Sequence, residues 1–244
     1  MPDLPAGDLI WVACVAIVAG LVRGFSGFGT ALIYVPLASL SLPPIWVLVT
    51  LTLMDLVGPL PNVPRALRDG RPREVGLLAG AAALALVPAL FVLGHLGDAG
   101  FRWMVSGLCL VTVILMASGW RWSGRMTSPR VAAIGGMAGF LGGVAGLPGP
   151  PVILAYMAAP LPAAVVRANI MLFLVLWDVI FGAALWASGR LTAEPVWLGI
   201  ALIVPYLLAN MVGAKLFRPD RERMYRIAAY SLIAAAAVAA VPLW

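Results

Sequence analysis

Two apolar stretches of this chain are too long for a single membrane helix and are interrupted by glycines. They are residues 9–42, broken at 23–29 ("RGFSGFG"), and residues 131–160, broken at 142–151 ("GGVAGLPGPP"). A helix rises 1.5 Å per residue and crosses the hydrocarbon core in about 20 residues. By that ruler six further apolar segments are present, at 45–60, 74–94, 101–120, 163–186, 195–217 and 224–242, so the interrupted stretches are the first and fifth of eight. With 63% apolar and 11% charged residues in 244, the composition excludes a soluble domain and predicts an all-α integral membrane protein. The opening "MPDLPAGD" carries two aspartates and no basic residue, the wrong flank for a secretory signal peptide, so the first apolar stretch is expected to be retained.

The interrupted stretches are related by an internal shift of 143 − 24 = 119 residues. It aligns Gly24 with Gly143, Gly27 with Gly146, Leu42-Pro43 with Leu161-Pro162, Gly70-Arg71 with Gly189-Arg190, and Gly94 with Gly213, without a gap. Each half therefore reads broken, plain, plain, plain. Two homologous membrane repeats, 1–122 and 123–244, are expected within one membrane domain.

Basic residues orient the repeats. Arg65, Arg68, Arg71 and Arg73 lie between segments two and three, Arg121, Arg125 and Arg130 between four and five, and Lys215, Arg218, Arg221, Arg223 and Arg226 between seven and eight. The positive-inside rule makes these three connections cytoplasmic and explains the formal charge of +6 as topology signals, not a nucleic-acid-binding face. If all eight segments crossed once, the first and last of these connections would face opposite sides. The conflict disappears if each broken segment is a re-entrant hairpin. Each half then crosses three times, the halves are inverted copies, and both termini are external. Paired broken helices in inverted repeats mark secondary transporters.

The breaks have a chemical use. Non-helical backbone at membrane depth must be buried in protein or line a wet cavity, because its polar groups need partners. Glycines permit the turn, and the helix start beyond it presents free N–H groups and partial positive charge, which suit an anion. Two such half-helices brought together by a pseudo-twofold axis would form one anion site near the midplane, with N–H groups near Gly27, Gly29, Gly146 and Gly149 supplying the attraction. The bland alternative is helix contact through small residues. The G-x-x-G-x-G spacing of residues 24–29 is not a dinucleotide fingerprint, since no strand precedes it and no acidic residue follows at the required distance.

The paired motifs "GFSGFGTALIYVPLASL" and "GGVAGLPGPPVILAYM", the following "VVRANIMLFL", the hairpin "LRDGRPREVGLLAGAAALALVPALFVLG" and the late "LIVPYLLANMVGAKLF" resemble the sulfite exporter TauE/SafE family of membrane transporters over nearly the whole chain. The resemblance implies a small exporter of sulfur-containing or other organic anions, such as sulfite or sulfoacetate, in a bacterial inner membrane. Here Gly29 is followed by Thr30 and Ala31, whereas the family's first motif usually continues as a run of glycines, a departure that bears on the substrate more than on the fold.

Candidate substrate-binding residues are Arg23, Gly24, Gly27, Gly29, Thr30, Thr50, Gly143, Gly146, Gly149, Tyr156, Arg167 and Asn169. Arg23, in the first break, can present a planar donor fork to an oxyanion or snorkel to an interface. Arg167, within the family's RAN motif, can serve as ligand or as topology charge. Asn169 and Thr50 align under the shift and suit either an anion or a helix-to-helix bond. Tyr34 and Tyr156 follow the two breaks and can offer hydroxyls or pack. Asp55 and Asp178 are embedded in apolar helices, where a carboxylate either relays protons or pairs with Arg23 or Arg167. His95 reads as interfacial, and Cys14 and Cys109 as small buried side chains with no disulfide or metal spacing.

No catalytic motif is present, so enzymatic activity, a metal and a cofactor are not expected. The expected partners are a small anion and the lipid bilayer, with a homodimer left open and nucleic acid excluded. The alternative functions are an anion channel and a non-transporting membrane subunit.

Overall fold

The computed structural model describes residues 4–26, 28–118, 126–216 and 222–243. Among them the chain is all helical: α1 (Ala6–Ser26), α2 (Thr30–Ala38), α3 (Pro44–Val57), a 3-10 turn (Leu60–Asn62), α4 (Val63–Asp69), α5 (Pro72–His95), α6 (Asp98–Ala117), α7 (Ser128–Ala145), α8 (Gly149–Ala158), α9 (Ala163–Ala187), α10 (Ala193–Leu216) and α11 (Glu222–Ala239). Five of these, α1, α5, α6, α9 and α10, are long and apolar enough to cross a membrane. Their outward faces are apolar: Leu84, Val87 and Phe91 on α5 are 78%, 71% and 68% exposed, at helical spacing. In water that stripe would be a liability, and in lipid it is the expected surface.

Both interrupted stretches break at the expected places. α1 ends at Ser26 and α2 begins at Thr30, while α7 ends at Ala145 and α8 begins at Gly149. The segment expected at 45–60 is shorter, because Gly58-Pro59 stops α3 and a 3-10 turn with α4 follows. The helices form two compact units, and each draws on both sequence halves.

The first unit comprises the chain up to Met54, Leu96–Ala117, and the chain from Gly189 onward. Its spine is α1 against α10. A Cβ on Gly20 would lie 2.5 Å from the Tyr206 carbonyl oxygen, and one on Gly24 would overlap the Asn210 carbonyl, so only glycine lets these backbones touch. Contact numbers rise together along both helices, so α1 and α10 run parallel. α2 turns back along α1, and the Trp11 indole N–H donates to the Leu37 carbonyl over 3.0 Å, joining the start of α1 to the end of α2. The interrupted stretch is therefore a hairpin here. α11 packs on α6 and α2, and Arg102 Nε donates to the Ala240 carbonyl over 2.9 Å.

The second unit comprises Asp55–His95 and residues 118–188. Its spine is α5 against α7, also parallel: Gly135 lies under Leu78, Gly139 under Ala82, and Gly143 against Leu86 and Ala89. The 119-residue shift carries α1 onto α7 and α10 onto α5 within three residues, so the two spines are made of equivalent helices. α8 packs on α7, and α9 packs on α4, α5 and α8.

Candidate functional site

The first break lies in the first unit. Gly29 caps α2 with φ 98°, a left-handed conformation that costs other residues about 1–2 kcal/mol. The first helical bond of α2 runs from Ile33 N–H to the Gly29 carbonyl over 3.2 Å. The N–H groups of Thr30, Ala31 and Leu32 are thus left without a helical acceptor. Side chains converge on the same point: Arg23 Nη1 donates to Thr30 Oγ1 over 3.2 Å, and Thr30 Oγ1 lies 3.1 Å from the Tyr206 hydroxyl. The break itself is braced by Ser26, whose hydroxyl lies 2.6 Å from the Val22 carbonyl and 2.7 Å from that of Phe28. A half-buried guanidinium, two hydroxyls and a helix start form a donor-rich, positively polarised cluster.

The second break, in the second unit, is built differently. Gly146 has φ 68° and ends α7, but its N–H already donates to the Gly142 carbonyl over 2.9 Å, and Leu147 N–H donates to Leu141 over 3.4 Å. In the first turn of α8, Pro150 and Pro151 have no N–H, so Gly149 alone contributes an open donor there. The two breaks match in position and differ in donor supply.

Gly24 and Gly143, expected beside the anion, are the glycines that α10 and α5 press against. Gly27 lies outside the described residues. Thr50 and Tyr34 are both fully buried and bonded to each other, Oη to Oγ1 at 2.8 Å, and Thr50 also donates toward the Trp46 carbonyl. Asp55, at the end of α3, and Asp178, midway along α9, are half-buried and both have interaction partners. Arg167 is exposed on α9. His95 is exposed at the end of α5, where Nδ1–H donates to the Phe91 carbonyl over 2.8 Å. Cys109 is buried as expected, whereas Cys14 is exposed on α1.

Tyr156 and Asn169, both expected site residues, are brought together by Glu74, which the sequence did not single out. The Tyr156 hydroxyl donates to Glu74 Oε1 over 2.6 Å, and Asn169 Nδ2 donates to the same oxygen over 3.4 Å. Asn169 Oδ1 accepts the Arg71 backbone N–H at 2.7 Å, and Arg71 Nη1 lies 3.5 Å from Glu74 Oε2. Gly70 lets Asn169 approach, since a Cβ there would lie 2.9 Å from Oδ1. In sequence Glu74 stands among arginines of a basic connection and resembles a topology charge. Tyr206, the third member of the first cluster, had no signal beyond its place in the late "PYLLANMVG" motif.

Residues 12–240 match the family model described as Sulfite exporter TauE/SafE. No curated protein and no solved structure matches the chain significantly.

Proposed function

The chain belongs to the sulfite exporter TauE/SafE family, a family of membrane transporters, and on that premise we propose that it is a secondary-active carrier exporting a small sulfur-containing or organic anion, sulfite and sulfoacetate being the type. It works by alternating access across a bacterial inner membrane, with both termini external. The observation that carries this reading is the cluster at the start of α2, where Arg23, Thr30 and Tyr206 meet an open helix N-terminus beyond Gly29. An oxyanion would take the guanidinium fork and hydroxyls in place of their present mutual bonds, and the N–H groups of residues 30–32 would complete its shell. Asp55 and Asp178 are the proton-coupling candidates of this reading.

The charge pattern supports the inverted arrangement. α1 and α10 carry their basic residues at their ends, Arg23 and Lys215, whereas α5 and α7 carry them at their starts, Arg73 and Arg130. By the positive-inside rule the basic end of each of these helices lies at the cytoplasmic face.

Thermal unfolding of the purified protein with sulfite, sulfoacetate, sulfate and chloride tests the site. A ligand at 100 Kd stabilises the folded state by about 2.7 kcal/mol. Saturable stabilisation by an organosulfur anion, absent with chloride and lost in Arg23→Gln and in Thr30→Val, is the expected result. Stabilisation that survives both substitutions removes the site. Non-saturating flux in vesicles would make the protein a channel.

A further inference from the structure

α8 is a ten-residue helix, "GPPVILAYMA", and Tyr156 is its one side chain able to form a strong hydrogen bond. That bond goes to a titratable acceptor. Glu74 Oε1 takes the Tyr156 O–H at 2.6 Å and the Asn169 N–H at 3.4 Å, and both donors are fully buried while the Glu74 side chain remains 16% exposed. Solvent can therefore deliver a proton to a carboxylate whose two buried partners require it charged. The segment is hinged at both ends, by Gly146 with φ 68° before it and by Pro160-Leu161-Pro162 after it.

The equivalent tie in the first unit joins two hydroxyls. Tyr34 of α2 bonds to Thr50, and Thr50 aligns with Asn169 under the 119-residue shift. Each half-helix is thus held by a tyrosine hydroxyl to the neighbourhood of the following helix, and only one of the two ties contains an acid.

We propose that Glu74 is a proton-binding site that latches α8: charged, it holds Tyr156 and Asn169, and protonated, it releases Tyr156 and lets α8 move. This rests on the transporter reading for its purpose, but not for its chemistry. A protonated carboxyl gives up acceptor capacity at the oxygen that carries the proton, so a buried O–H and N–H lose a charge-assisted partner together. Arg71 lies 3.5 Å from it, and other charged residues carried by α5 and by the helices of this unit are Arg73 on α5, Arg65, Arg68 and Asp69 on α4, Arg130 on α7, and Arg167 and Asp178 on α9. Asp178 lies nine residues beyond Asn169 on α9, about 14 Å by helical rise.

Hydrogen exchange of α8 in nanodiscs, measured across pH and referred to the intrinsic rate at each pH, tests the latch without any substrate. Wild-type protection over Val152–Ala158 should fall about tenfold or more on the acid side, the loss of one charge-assisted bond. Glu74→Gln should show the low protection at every pH, while Asp98→Asn keeps the wild-type response. Should Glu74→Gln not fold, Tyr156→Phe decides. Removing the hydroxyl takes away the bond by which Glu74 holds α8, so α8 should show the low protection at every pH. Protection independent of pH in the wild type, an unaltered pH response in Glu74→Gln, or a wild-type pH response retained in Tyr156→Phe overturns the proposal. Sulfoacetate flux in proteoliposomes is the separate arm: its pH dependence should flatten in Glu74→Gln. A wild type that carries neither sulfoacetate nor sulfite ends the transporter reading, while the α8 measurement still decides the proton site.

Discussion

Gly29 and Gly149 both begin half-helices, yet they do different work. Gly29 holds φ 98°, where any Cβ is strained, although the space around it is open out to Ile233 and Val22 at 3.8 Å. Gly149 has no such φ, and a Cβ there would meet Ile153 at an ordinary 3.4 Å. Gly29→Ala should therefore lower stability by about 1–2 kcal/mol, and Gly149→Ala should be close to neutral. Thermal midpoints of the two variants check this, and equal midpoints would mean that the left-handed turn at Gly29 is not maintained. Gly29 was legible because a glycine cluster interrupting an apolar stretch has few explanations. Glu74 was not, because its meaning comes from Asn169 and Tyr156, 95 and 82 residues away, and its own neighbours in sequence are arginines.

At the scale of helices, the apolar ruler located nearly every element: 74–94 was expected and α5 runs Pro72–His95. What it left open was the use of glycines, since a residue with no side chain offers no chemistry by which to tell a ligand site from a helix contact. The four-residue spacing of Gly20 and Gly24, and of Gly135, Gly139 and Gly143, is that of small-residue helix crossings, and the structure puts a partner backbone or side chain against each. Gly139→Ala drives a Cβ into the Ala82 backbone, so α5 and α7 must separate, with a loss of about 1–3 kcal/mol or more. Gly76→Ala on α5 meets nothing within 4 Å and gains about 0.8–1.0 kcal/mol of helix propensity. Monodisperse yield and thermal midpoint in detergent should fall for the first and hold or rise for the second. If Gly139→Ala behaves like Gly76→Ala, the α5–α7 contact is looser than described.

For the whole molecule, the pairing of α1 with α10 and of α7 with α5 could not be read from sequence, because each pair joins helices from different halves through contacts about 190 and 60 residues apart. The charge pattern could be read, and it makes a claim that reaches every crossing. If both breaks are hairpins, each half crosses three times, and the connection around Arg68 is expected inside and that around Asp98 outside. Single cysteines test this once Cys14 and Cys109 are replaced by alanine. Asp98→Cys should react with a membrane-impermeant maleimide in intact cells, and Arg68→Cys should react only after the inner membrane is opened. Cysteines at Arg190 and Glu194 should behave like the one at Asp98, because the second half ends on the side where the first began. Labelling of Arg68→Cys and Glu194→Cys from the same side would require the second interrupted stretch, 131–160, to cross outright. The plain segments of the two sequence halves would then run in the same direction, and the inverted repeat on which the carrier reading rests would no longer be tenable.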